Sequence, residues 1–158
     1  MVVEKDGDIL TSGADIICHQ VNCMGVMGAG LAKQIRDKYP HTYAQYKIKC
    51  NEIKAGVGGL GDVMLCDEGD CIIANLFAQY RYGRDRRYTD YDALRKCLHE
   101  TVGAAERWSV VEDKRCRIAL PYGLGCGLAG GDWGIVRNII EEIFGGGEYR
   151  CEIWKYNN

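Results

Sequence analysis

The sequence twice places a short apolar run, a glycine-rich loop and an amphipathic helix in immediate succession. The first passage runs Ala14–Pro40 (ADIICHQVNCMGVMGAGLAKQIRDKYP) and the second Ile118–Phe144 (IALPYGLGCGLAGGDWGIVRNIIEEIF). A strand that breaks into glycines and re-forms as a helix aims free backbone N–H groups, and the positive end of the helix dipole, at one point. That arrangement holds phosphate. In open α/β sheets such loops gather beyond the carboxyl ends of the strands, so two facing loops predict a diphosphate held between them. Neither loop is a Walker motif, since no Gly-Lys-Ser/Thr follows. Gly25-x-x-Gly28-x-Gly30 also lacks the ordered G-x-G-x-x-G of a dinucleotide fold.

The remaining segments predict the framework around these loops. Met1–Glu4 is β-prone, Lys5–Asp8 is a turn signal, and Ile9-Leu10 is a brief element. Ile16–Val21 reads as a buried strand, residues 29–39 as a helix stopped by Pro40, and His41–Cys50 as a second helix. Asp62–Cys66 and Cys71–Phe77 read as two strands joined by the hairpin signal Asp67–Asp70. Asp90–Arg107 carries apolar residues at helical spacing, Arg117–Leu120 is a strand ending at Pro121, Trp133–Phe144 a helix, and Cys151–Tyr156 a closing strand. Strands alternating with helices predict a three-layer α/β/α domain with a mixed central sheet. A single domain over residues 1–158 is expected, because no linker, repeat or low-complexity run interrupts the chain.

Composition excludes several function classes. A net charge of −2 gives no general pull toward nucleic acid or anionic membrane. No apolar run reaches the roughly 18 residues that span a bilayer, and the amino terminus lacks a signal-peptide core, so a soluble cytoplasmic protein is expected. The nine cysteines at 18, 23, 50, 66, 71, 97, 116, 126 and 151 form no C-x-x-C pair. They read as small core residues in a reducing compartment, and neither a metal site nor a cofactor is expected. Cys23 and Cys126 stand apart because each lies within a glycine loop, yet no adjacent His or Lys activates either thiol. Gln79–Arg87 concentrates arginine and tyrosine as no other stretch does; a solvated loop and a contact from Arg84, Arg86 or Arg87 to a terminal phosphate are both open readings.

The two loops carry a family resemblance. Asp15–Asn22 followed by Gly-x-x-Gly-x-Gly-Leu-Ala32 resembles the first loop of macrodomains, the ADP-ribose-binding modules. Leu120–Leu128, running into Asp132-Trp133, resembles their second, phosphate-gripping loop, and Gly7–Leu10 also matches. The likeness covers essentially the whole chain. It is greatest to the branch holding terminal ADP-ribose protein glycohydrolases, bacterial relatives and fungal ADP-ribose-1″-phosphate phosphatases.

The resemblance implies roles for particular residues. Asp15, with Ile16 beside it, would contact adenine, the carboxylate accepting from its amino group. Asn22 would hold the distal ribose. Gly28, Ala29, Gly30 and Leu31 would line that ribose and the diphosphate, and Gly123, Leu124, Gly125, Cys126, Gly127 and Leu128 would wrap the phosphates. Glycohydrolases of this branch use a lysine after the strand matching Ile72–Phe77 and an aspartate directly after the Gly-Cys-Gly-Leu run. Here those positions hold Gln79 and Ala129. Glutamine forms no Schiff base, so covalent lysine chemistry is not expected.

His19 matches a histidine of the phosphatase branch and has a side chain suited to acid–base work, though a core histidine is an equal reading. Asp132 is either a second catalytic group or the N-cap of the helix from Trp133. Asn75 and Gln79 are candidates to orient a water. The expected function is therefore ADP-ribose binding with hydrolysis of an ADP-ribose derivative, first of all dephosphorylation of ADP-ribose-1″-phosphate by His19 and Asp132. The alternatives are an ADP-ribosyl hydrolase acting on protein or nucleic acid, and a reader that only binds. The expected partner is ADP-ribose or an ADP-ribosylated substrate, with no membrane and with nucleic acid only as a modified substrate.

Overall fold

A computed structural model describes residues 1–147 and 149–156. Six strands form one sheet: β1 (Val2–Asp6), β2 (Ile16–Val21), β3 (Val63–Asp67), β4 (Ile72–Phe77), β5 (Arg117–Pro121) and β6 (Arg150–Lys155). Their order is β1-β6-β5-β2-β4-β3. All neighbouring pairs are parallel except the β3–β4 hairpin. The expected mixed sheet is therefore a parallel sheet with one antiparallel edge.

Four helices cover it: α1 (Gly30–Lys38), α2 (Pro40–Lys54), α3 (Tyr91–Glu112) and α4 (Trp133–Phe144). On one face α3 and α4 pack onto Ile16, Cys18, Leu76, Ile118 and Ile153. On the other, α1 and α2 pack onto Ile17, Ile73, Val21 and Phe77. The central strands are buried on both faces, which is why β2 and β4 read as near-continuous apolar runs rather than alternating ones. Of the nine free thiols, all but the half-buried Cys126 are buried. Among the described residues no helix is long and apolar enough to cross a membrane.

Local chemistry sets the element boundaries. Pro40 occupies the first turn of α2, where its missing N–H costs nothing, so one residue both ends α1 and begins α2. Asp90 caps α3 by accepting from Ala93 N at 2.9 Å, and Asp132 caps α4 by accepting from Ile135 N at 3.3 Å. Two helices are longer than the pattern predicts. α2 continues to Lys54, and α3 runs past Arg107 to Glu112, where Val110 and Val111 are 83% and 79% exposed and supply no apolar periodicity. β1 likewise continues through Lys5 and Asp6, paired with Trp154 and Lys155.

At the amino ends of the strands, Glu152 is fully buried, yet it is held by Arg117 at 2.8 Å, Arg150 at 2.7 Å and Trp154 Nε1 at 3.1 Å. β2 lies between β5 and β4. Connections therefore depart to either side of its carboxyl end, where α/β sheets open a crevice.

Candidate functional site

The crevice is a cleft of about 740 Å³. Its walls come from the end of β2 with the loop into α1, from the segment after β4, and from the loop between β5 and α4.

Asn22 braces the first loop from within. Its Oδ1 accepts from Met24 N at 2.9 Å and from the Tyr46 hydroxyl at 2.7 Å, while Nδ2 donates to Val26 O at 2.8 Å. The loop then turns into α1 at Gly30, whose φ of +55° suits a residue without a Cβ. The N-cap of α1 is Ala29, which has no side-chain oxygen to offer. The first amides of the helix consequently keep their hydrogen-bonding capacity and face a cleft lined by Gly28–Ala32.

The second loop is built on left-handed turns. Gly125 has φ +71°, and a Cβ there would stand 2.7 Å from Gln20 Oε1 and 3.1 Å from Thr89 Oγ1. The Gly125 carbonyl accepts from Gly131 N at 2.9 Å and from Thr89 Oγ1 at 2.6 Å. These bonds fold the loop back over the cleft.

A carboxamide network joins the three walls. Gln20 Nε2 donates to Gln79 Oε1 and to Thr89 Oγ1, each at 2.9 Å, and Gln79 Nε2 donates to Arg81 O at 2.9 Å. The Arg81 carbonyl accepts only, so it fixes the orientation of Gln79, which in turn fixes Gln20. Gln20 Oε1 is left buried without a partner among the described residues.

His19 is 2% exposed, and its Nε2 lies 2.6 Å from Asn75 Oδ1. Asn75 Nδ2 already donates to Met64 O at 3.0 Å, so the imidazole donates through Nε2 and its Nδ1 lone pair is unpartnered. Burial lowers the His19 pKa to about 4, with the Asn75 bond opposing the shift. At neutral pH the ring is therefore uncharged and is no general acid.

Most of the expected site residues meet in this cleft. Asn22, Gly28–Leu31, Gln79, Gly123–Gly125, Gly127 and Leu128 line it, as does His19. Five expected residues do not. Asp15 and Ile16 stand at the opposite, amino end of β2: the Asp15 carboxylate accepts from Arg117 N at 2.8 Å, and Ile16 is fully buried. The adenine contact expected from them has no geometric basis. Cys126 turns its Sγ toward Leu124 O at 3.3 Å, and burial, with Asp132 nearby, pushes its thiol up to about 11. Asp132 is exposed and occupied as the N-cap, leaving it out of the cleft wall. Asn75 is fully buried behind His19, so it also orients no water in the cleft.

The structure adds residues that sequence reasoning missed. Tyr82 and Gly83 join Arg84 on one lip, and Tyr122 stands on the other, tilted against Trp133 with centroids 4.7 Å apart. Ala129 lines the cleft, and its carbonyl accepts from Tyr88 N and Thr89 N at 2.7 and 3.2 Å. No Asp, Glu or Lys lies on the described wall. Apart from Arg84 on the lip, such a wall offers an anion backbone N–H donors rather than opposite charge.

Comparison with known proteins places this geometry. No protein-family model matches the chain. It is 33% identical over 145 residues to a DNA ADP-ribosyl glycohydrolase of Mycobacterium tuberculosis, covering 91% of the chain and 39% of that protein. It is 39% identical over 54 residues to an ADP-ribose 1″-phosphate phosphatase of Aspergillus fumigatus, covering 33% of the chain and 26% of that protein. The chain thus spans about two-fifths or less of these curated relatives. The solved macrodomain of Thermus aquaticus DarG superposes with a TM-score of 0.77 and 26% identity, over 100% of this chain and 99% of that one. The chain has the macrodomain fold.

Proposed function

We propose that this macrodomain binds ADP-ribose in the cleft and releases it from a conjugate by attack of water at C1″ of the distal ribose. The carrying observation is that two glycine loops and the uncapped start of α1 converge on one cleft whose described wall has no carboxylate and no lysine. A diphosphate between them is held by backbone amides and a helix terminus. The distal ribose lies toward Asn22, whose second Nδ2 hydrogen is available to it.

Water adds to C1″, the bond to the conjugated group breaks with its electron pair on the leaving group, and the water's proton leaves with that group or to solvent. Gln79 Oε1, on the cleft wall and accepting one bond from Gln20 Nε2, is the acceptor that supports the attacking O–H. With glutamine at position 79, no enzyme-bound intermediate forms. The likeness to the mycobacterial glycohydrolase over 91% of the chain supports this reading.

Removal of a 1″-phosphate is the second reading, and Arg84 on the cleft lip favours it, because a guanidinium there would pair with a terminal phosphate. Incubating the protein with ADP-ribosylated DNA and, separately, with ADP-ribose-1″-phosphate separates the two. Free ADP-ribose from the first substrate supports the conjugate reading. Inorganic phosphate from the second alone supports phosphatase action. ADP-ribose binding without either product leaves a reader and overturns turnover.

A further inference from the structure

The segment between β4 and α3 is held at both ends and exposed between them. Gln79 and Thr89 form an isolated antiparallel bridge. Tyr80 O accepts from Cys23 N at 2.9 Å, and the Ala129 carbonyl secures Tyr88 and Thr89. The intervening loop is therefore a fixed lip of the cleft.

Its chemistry is unlike that of the rest of the chain. Four arginines, at 81, 84, 86 and 87, face one carboxylate, Asp85, in a protein whose net charge is −2. Arg86 approaches Asp85 at 3.8 Å. Arg81, Arg84 and Arg87 have no carboxylate partner among the described residues. On either side of Arg81, Tyr80 and Tyr82 are 43% and 55% exposed. Arg87 lies over the Tyr91 ring at 4.4 Å, which leaves Arg81 and Arg84 with neither a carboxylate nor a ring partner among the described residues. Guanidinium groups beside open aromatic faces are what a single nucleic-acid strand requires, phosphate to cation and base to ring.

We infer that the Tyr80–Arg87 lip docks the nucleic-acid strand from which the ADP-ribosyl group enters the cleft. The inference deepens the proposed function by naming its substrate class and rests on it for orientation: Tyr82, Gly83 and Arg84 line the cleft, so a strand lying on Tyr80 and Arg81 ends at its mouth. An acidic protein segment would pair with the arginines but would leave the tyrosine faces unused.

The test uses an unmodified single-stranded DNA oligonucleotide, an acidic peptide of the same charge, and free ADP-ribose, each titrated into wild type and a Tyr80→Ala/Arg81→Ala variant. Neither residue lines the cleft. The oligonucleotide should bind wild type with a steep salt dependence. In the variant its affinity should fall by about tenfold, with a salt slope shallower by about 0.7. ADP-ribose affinity should stay the same. No oligonucleotide binding, equal binding by the variant, or equal affinity for the acidic peptide would overturn the inference. Oligonucleotide binding without any ADP-ribose binding would instead count against the cleft assignment, so the two failures are distinguishable.

Discussion

His19 donates through Nε2 to Asn75 Oδ1 across 2.6 Å, and that bond joins adjacent strands at the floor of the cleft. Because Asn75 is anchored to the Met64 carbonyl, the histidine is locked in one neutral tautomer. Its Nδ1 lone pair is buried without a partner among the described residues, and the ring stays uncharged at neutral pH.

This has a consequence for stability. The unfolded histidine titrates near 6.5 and the folded one near 4, so between those values the unfolded state binds more protons. Stability is complete above about pH 6.5 and is lost as the pH falls toward 4, by about 3 kcal/mol at most. Denaturant melts at pH 7 and pH 4.5 should show this slope, and a His19→Asn variant should lack that part of it. Equal slopes would show that the ring is charged in the folded state.

Gln79 lines the cleft and, unlike a lysine, forms no Schiff base with an opened ribose. Borohydride added during exposure to ADP-ribose should leave the mass of the wild-type protein unchanged. Gln79→Ala removes the acceptor of Gln20 Nε2 and the donor to Arg81 O. It should cost about 1–3 kcal/mol of stability and weaken ADP-ribose binding. A trapped adduct would show that another amine does the chemistry.

Gly125→Ala puts a methyl group 2.7 Å from Gln20 Oε1 on a residue with φ +71°. The loop must shift, so ADP-ribose affinity should fall by tenfold or more while the melting temperature drops by only a few degrees, as for a cost of about 1 kcal/mol. Unchanged affinity would mean that this loop does not touch the ligand.

Asp15→Ala probes the other end of β2. The carboxylate accepts from Arg117 N at 2.8 Å, so its loss should destabilise the fold by about 1–2 kcal/mol and leave ADP-ribose affinity within twofold of wild type. A selective loss of affinity would restore Asp15 as a ligand contact.

The contrast between Asp15 and Asn22 marks what the sequence could convey. Strands and helices announce themselves through local periodicity, so β2, the β3–β4 hairpin and α4 were legible, as was the capping role open to Asp132. Two loops 100 residues apart were also readable as partners, because each carried the same strand–glycine–helix grammar. Distance along a strand was not legible. Seven steps at about 3.3 Å each carry Asp15 about 23 Å from Asn22, to the far end of the strand, although the two are neighbours in the text. The lip formed by Tyr82 and Arg84 was visible as composition, but its position depends on the bridge of Gln79 to Thr89 and on the Ala129 carbonyl. Those contacts are long-range and leave no local pattern. Tyr122 was missed for the same reason.

Isothermal calorimetry with ADP-ribose and AMP on the wild-type protein tests the central claim most directly. On the proposed reading the paired loops and Asn22 hold the diphosphate and distal ribose, so ADP-ribose should bind with a dissociation constant on the order of micromolar and AMP at least about tenfold more weakly, a difference of about 1.4 kcal/mol or more. No heat with ADP-ribose, or equal affinity for AMP, would contradict it.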